Sequence, residues 1–163
     1  MKKSIVVLAL VVLSFAVAQN AMAQTTTQSF NVAVNAVYKI ATTGTPADLT
    51  ITTGTAGNNA LTTVSDASTT FAITQNASAA GKVTASLSPA LPAGYSLQIQ
   101  LAGINGGTSA GAQDISSGSA KDVVTAINRG ADAGKTITYT FGANATAGVL
   151  LATTETVTLT LTN

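Results

Sequence analysis

The chain has 163 residues, only 8% of them charged, and a formal net charge of +1 at pH 7. A chain so close to neutral lacks the positive field that captures nucleic acid or an anionic membrane, so we expect neither as a partner. It contains no cysteine and no histidine, which excludes a disulfide scaffold, histidine-based catalysis and His or Cys metal sites. Its six acidic residues are scattered without paired spacing, so we expect no enzyme activity, no catalytic residues, no metal and no cofactor.

The chain begins with the three-part pattern of a secretory signal peptide. Two lysines at positions 2 and 3 precede an apolar run over residues 5–18, and Ala21-Met22-Ala23 supplies small residues before Gln24. The apolar run is shorter than the roughly 20 residues that span a bilayer. We therefore predict a signal peptide over residues 1–23, a single exported domain over residues 24–163, and no membrane span after cleavage. Loss of the two lysines leaves five basic and six acidic residues, a net charge of −1.

The segment after the leader alternates between apolar and polar side chains. Residues 24–28 are polar, and from Phe30 to Ile40 every second residue is apolar. This period of two predicts a half-buried strand, or two collinear strands that meet near Ala36.

The same alternation returns downstream, with threonine dominating the polar face, where its β-branch suits a pleated sheet. It predicts strands around Leu49–Thr52, Thr70–Thr74, Lys82–Ser88, Tyr95–Leu101, Thr136–Phe141 and Thr156–Thr162. Clean alternation is typical of antiparallel sheets with one wet face. The sequence therefore predicts an all-β protein of two packed antiparallel sheets.

The connections carry turn residues, and one of them has the features of a helix. Residues 76–81 predict a hairpin loop, and the Gly- and Ser-rich residues 102–118 predict a long surface loop. Ser119 with Asp122 resembles a capping box, Val123, Val124 and Ile127 form an apolar stripe, and Gly130 follows as a stop. We therefore predict one short helix near residues 119–129.

The apolar face of the segment after the leader needs a cover. Burial of Phe30, Val32 and Val34 would contribute roughly 5–9 kcal/mol before opposing costs. The cover could be the protein's own sandwich, with the segment as an ordinary first strand. Alternatively, the segment is donated to a neighbouring molecule, where main-chain pairing gives affinity and alternate side chains give register.

The stretch Ser29 to Ile40 resembles the donor strand and first body strand of the cysteine-free fimbrial major subunits assembled by a chaperone and usher. The ending, Thr156 to Asn163, is similar to their last strand. The resemblance implies an incomplete immunoglobulin-like sandwich that polymerises with other copies of itself, head to tail. It also implies residues 24–36 as the donor strand, with Phe30, Val32, Val34 and Ala36 in the neighbour's groove, and a periplasmic chaperone and an outer-membrane usher as partners.

The leading hypothesis is thus a structural fimbrial or filament subunit at the cell surface that polymerises by donor-strand exchange. The first alternative is a self-contained secreted surface or coat protein, whose strand over residues 30–40 pairs within its own chain. The second is a surface module that binds sugar, which would expose tyrosine side chains as platforms.

Overall fold

A computed structural model describes residues 24–104 and 106–163. The predicted signal peptide, residues 1–23, lies outside the described residues. The chain divides into two units, residues 1–34 and residues 35–163, and both β-sheets belong to the second unit. In the described part of the chain, no helix has the length and apolar character needed to cross a membrane.

The described residues form nine strands and one short 3-10 helix. The strands are β1 (Tyr38–Thr43), β2 (Val64–Gln75), β3 (Gly81–Ser88), β4 (Tyr95–Leu101), β5 (Thr108–Ser109), β6 (Gln113–Asp114), β7 (Lys121–Ile127), β8 (Gly130–Ala143) and β9 (Thr156–Thr162), and the 3-10 helix is Ala145–Ala147. Five of the predicted strands are confirmed as β2, β3, β4, β8 and β9.

The strands form two antiparallel sheets that pack face to face. One sheet has the order β1-β2-β8-β4-β6 and the other the order β5-β7-β3-β9, and every pairing within them is antiparallel. Apolar side chains from both sheets meet in one core. The predicted all-β antiparallel sandwich is therefore confirmed.

The core follows the period of two read from the sequence. In β3, Val83, Ala85 and Leu87 are buried while the residues between them stay partly exposed. Ile99 in β4 and Ile137 in β8 are fully buried on the facing sheet. Alternation of apolar and polar residues along each strand thus gives each sheet one buried apolar face.

A buried amide links the two sheets at the end of β2. Gln75 is only 2% exposed, and its side-chain Nε2 donates hydrogen bonds to the carbonyl oxygens of Ile127 and Asn128. Gln75 belongs to the sheet of β1 and Ile127 to the sheet of β3. A buried polar group of this kind fixes the relative position of the two sheets because leaving it unpaired is costly.

The predicted helix near residues 119–129 is wrong: the segment is strand β7. Val83 pairs with Val124 and Thr84 with Asp122, which leaves Val123 as an extra residue, and a second irregularity lies towards Ile127. Such bulges interrupt the period of two and place adjacent residues on the same side. Val123, Val124 and Ile127 are all fully buried as a result, a spacing that resembles one face of a helix.

Three further expectations are corrected. Residues 76–80 are not a hairpin loop, because β2 and β3 belong to different sheets. Residues 49–52 form no strand; Leu49 and Ile51 are half-buried but no strand pairs with them. Of the stretch 102–118, the described residues include two short strands and the buried Ile104 and Ile115, so the chain there is anchored in the core.

Candidate docking groove

An open apolar groove lies between the two sheets on the side where β1 and β9 form the sheet edges. It has a volume of about 1290 Å³. One wall comes from β1 and the residues that follow it, and the other from β9 and the residues that precede it. We call this feature the groove. Its floor consists of side chains from β4 and β8, among them Leu97, Ile137, Tyr139 and Phe141.

Both walls of the groove end in strand edges that are open within the described residues. β1 pairs with β2 on one side, and β9 pairs with β3 on one side. The second edge of each strand pairs with no strand of residues 24–104 or 106–163. An open edge presents unpaired N–H and C=O groups to any added strand. The groove therefore combines an apolar floor with main-chain groups that can bind an extended peptide.

The side chains of β9 are less buried than those of its partner strand. Val157 and Leu159 point to the groove side and are only half-buried, although they alternate with threonine as regularly as the apolar residues of β3. Each lies opposite a buried residue of β3, Leu87 and Ala85 respectively. Among the strands of the described residues, none pairs with the outer edge of β9.

Aromatic residues build part of the floor. The rings of Tyr95 and Phe141 stack with their centroids 6.4 Å apart and their planes 5° apart. The Tyr95 hydroxyl donates to the carbonyl oxygen of Ala147 at 3.2 Å. Burial raises the pKa of Tyr139; the Thr69 hydroxyl beside it lowers that pKa by a smaller amount, and Asp66 raises it slightly. This end of the groove is thus a low-polarity environment.

The segment that leads into β9 forms a rim with exposed apolar side chains. Val149 and Leu151 are 90% and 81% exposed. On the same rim, Thr153 Oγ1 donates to Glu155 Oε1 at 2.6 Å, while Glu155 Oε2 is shielded from solvent and has no partner among the described residues. A hydrogen-bond donor on an occupant of the groove would satisfy this oxygen.

The four predicted polymerisation residues are all exposed. Phe30, Val32 and Val34 lie in the first unit and are 83%, 83% and 86% exposed, and Ala36 in the second unit is also exposed. Residues 24–37 belong to no strand, so the predicted strand over residues 30–40 is confirmed only from Tyr38 onwards. Most of the apolar surface of these side chains faces solvent.

The side chain of Asn76 binds the backbone just before β1, a feature that the sequence alone did not reveal. Val37 N donates to Asn76 Oδ1 at 2.7 Å, and Asn76 Nδ2 donates to the carbonyl oxygen of Asn35 at 2.9 Å. Asn76 N also donates to the carbonyl oxygen of Val37 at 3.3 Å. We call this arrangement the Asn76 clamp. Its only sequence signal is an asparagine directly after a long alternating run.

Other chemistry is sparse in the described part of the chain. Acidic side chains do not gather there in any group of three that could hold a metal ion. The three tyrosines are buried or half-buried rather than displayed as platforms, which is the arrangement expected of core and groove residues.

No protein-family model matches the chain, and neither curated proteins nor solved structures give a match.

Proposed function

We propose that the chain is an extracellular structural subunit of a fimbria or filament that polymerises by donor-strand exchange. In this proposal, residues 24–36 of one copy occupy the groove of another copy. The observation that carries it is the presence, in one chain, of a groove with open strand edges and of an exposed segment with alternate apolar side chains.

The order of the strands supports an incomplete immunoglobulin-like sandwich. An immunoglobulin sandwich has strands A, B, E and D in one sheet and C, F and G in the other. Here β1, β2, β8 and β4 follow the order A-B-E-D, and β3 and β9 take the places of C and F. The place of strand G is the outer edge of β9, where no described strand lies. A donated strand at that edge would complete the second sheet.

The length and pattern of residues 30–36 suit this place. β9 has seven residues, and residues 30–36 span the same number, roughly 23 Å when extended. Phe30, Val32, Val34 and Ala36 would all face the floor of the groove, because side chains two apart lie on one side of a strand. Burial of the three larger ones contributes roughly 5–9 kcal/mol before the cost of ordering the segment.

The donor segment and the groove are also chemically compatible. Residues 24–36 carry no charged side chain, so their burial removes no ion from water. The floor of the groove is apolar and aromatic. The main-chain N–H groups of an added strand would bind the carbonyl groups along the outer edge of β9.

A contact between the donor segment of one copy and the groove of the next joins two different surfaces. Such a head-to-tail contact does not close on itself, so it generates a filament. The predicted leader places assembly outside the cytoplasm, and the resemblance to fimbrial subunits adds a periplasmic chaperone that would cover the groove before assembly and an outer-membrane usher.

The test of the proposal is removal of the donor segment. We expect the purified chain from Gln24 to form polymers that run as a ladder on an unheated detergent gel, and deletion of residues 25–36 to abolish the ladder while leaving the domain folded by circular dichroism. Filaments that form equally well after the deletion would rule out donor-strand exchange.

A matched pair of variants separates the apolar face from segment length. Phe30→Thr, Val32→Thr and Val34→Thr together remove the apolar face but keep a β-branched segment of the same length. The control, Ser29→Thr, Asn31→Thr and Ala33→Thr, changes the opposite face. We expect the first set to prevent the ladder and the second to preserve it. Equal ladders from both sets would contradict the assigned face.

A further inference from the structure

We propose that the Asn76 clamp favours assembly between chains over closure of a chain on itself. The inference rests on the proposed function, because it assumes that residues 24–36 bind the groove. It assigns to Asn76 the role of a positioning residue: its hydrogen bonds to Asn35 and Val37 oppose the chain reversal that the donor segment would need to reach the groove of its own chain.

A chain that carries both a donor segment and a groove faces a competition. A tethered segment has a high effective concentration for a site on its own molecule, typically in the millimolar range for a short flexible linker, unless the linker cannot span the distance. Closure within one chain would therefore defeat polymerisation at ordinary protein concentrations. A polymerising subunit needs a feature that makes the linker too short or too stiff.

The linker here is short. The last apolar residue of the donor segment is Ala36, and β1 begins at Tyr38, so Val37 alone separates them. β1 itself lines the groove. For residues 30–36 to lie beside β9 of the same chain, the backbone would have to reverse between Asn35 and Tyr38.

The Asn76 clamp opposes such a reversal with three hydrogen bonds. β1 and β2 pair up to Tyr38 and Gln75, and Asn76 directly follows the end of β2. The Asn76 backbone bonds Val37, and its side chain bonds both Val37 and Asn35. The side chain thus adds hydrogen bonds to Val37 and Asn35, the residues that lie just before the end of the β1–β2 ladder. An asparagine suits this role because its amide has an acceptor and a donor, whereas an aspartate has only acceptors.

The residues at the clamp also resist a tight turn. Two-residue reversals between strands need residues with positive φ, usually Gly, Asn or Asp. The two residues inside a reversal between Asn35 and Tyr38 would be Ala36 and Val37, neither of which is Gly, Asn or Asp. Val37 is also β-branched, which makes positive φ at that position costly. Local conformation and the Asn76 clamp therefore act in the same direction.

The experiment measures how many monomers have a closed groove. A fluorescent synthetic peptide of residues 24–37 binds monomers whose groove is open and fails to bind monomers that have closed on themselves. Freshly refolded monomers of the chain from Gln24 are mixed with the peptide. Native gels and native mass spectrometry then measure the refractory fraction, which is the fraction of monomers that do not bind the peptide.

We expect Asn76→Ala to raise the ratio of refractory to open monomer roughly fivefold, the effect of losing one or two net hydrogen bonds. Asn76→Asp, which keeps the acceptor for Val37 N but loses the donor to Asn35, should give a smaller rise. The matched control is Asn58→Ala, which removes a loop side chain that accepts a hydrogen bond from Ala60 N within its own turn. It should behave as the unaltered chain does.

A second variant keeps the test decisive if Asn76→Ala fails to fold. About six Gly and Ser residues inserted between Val34 and Asn35 give the donor segment reach and leave the Asn76 clamp intact. We expect this chain to be mostly refractory monomer with little polymer.

The outcomes separate the two proposals. If the unaltered chain neither binds the peptide nor polymerises, the proposed function fails. If it does both, but Asn76→Ala matches Asn58→Ala, the role of the Asn76 clamp is overturned and the proposed function stands. If the extended linker also leaves the groove open to peptide, short reach is not what prevents closure, and the inference is overturned on that ground too.

Discussion

Strands β3 and β9 are neighbours in one sheet and have nearly the same sequence pattern, yet they differ in burial. In β3, Val83, Ala85 and Leu87 are buried, whereas in β9 Val157 and Leu159 are half-buried and only Leu161 is buried. β3 has a partner on both sides, and β9 has one on a single side within the described residues. Burial of the apolar side chains of a strand thus depends on the neighbouring strands as much as on the alternation of its sequence.

The difference divides the sandwich into a closed side and an open side. On the closed side the core is complete within one chain. On the open side the groove leaves apolar surface on β9, β8 and the rim in contact with solvent. If a second copy completes the open side, stability there should depend on an occupant, while stability of the closed side should not.

The largest expected effect is on the closed side. Leu87→Ala should lower the free energy of unfolding by about 2–5 kcal/mol, the usual cost of a cavity at a buried leucine. Leu159→Ala, the same change on the half-buried strand edge, should cost about 1–2 kcal/mol in the isolated monomer. Urea denaturation of both variants measures the contrast. Equal losses would show that β9 is as well covered as β3.

The next effect is that of an occupant. In a chain that begins at Val37, the peptide of residues 24–37 at 100 times its dissociation constant should raise the free energy of unfolding by about 2.7 kcal/mol. The affinity of the peptide should fall in Leu159→Ala and stay unchanged in Leu87→Ala, because Leu159 lines the groove and Leu87 does not. A peptide with threonine at positions 30, 32 and 34 is the control. Stabilisation by that control as well would argue against an apolar docking site.

The smallest expected effect is a pH dependence from the floor of the groove. Burial raises the pKa of Tyr139 above the value of about 10 that it has in the unfolded chain. The folded protein therefore holds this proton longer, and the associated stability is complete below about pH 10 and declines as the pH rises towards the folded pKa. Tyr139→Phe should flatten the decline that begins above about pH 10.

Much of the fold could be predicted from the alternation of apolar and polar residues, because a period of two shows which face of a strand is buried. β7 could not, since its bulges place Val123 and Val124 on the same side and imitate a helical stripe. The sequence also did not predict that β2 and β3 belong to different sheets. The loop from Asn76 to Ala80 has turn residues that fit a hairpin and a crossover between sheets equally well.

The sequence predicts that the apolar face of residues 30–36 needs a cover, and in the structure its side chains are exposed. The groove was harder to predict, because Tyr139, Phe141 and Leu159 have the same alternating pattern as core residues. Only the order of the strands distinguishes side chains that line an open groove from side chains inside a closed core. The Asn76 clamp depends on three backbone groups of Asn35 and Val37, about 40 positions from Asn76 along the chain. The residues next to Asn76 in the sequence give no sign of such a distant contact.

The exposed rim has a consequence for handling the protein. Val149 and Leu151 are displayed beside an open strand edge, and after cleavage of the predicted leader the net charge would be only −1. Unpaired strand edges promote sheet extension between molecules, and a protein with a net charge near zero has little electrostatic repulsion to oppose it. Concentrated preparations with an unfilled groove should therefore precipitate readily, and their shelf life should lengthen when the peptide of residues 24–37 is added before concentration.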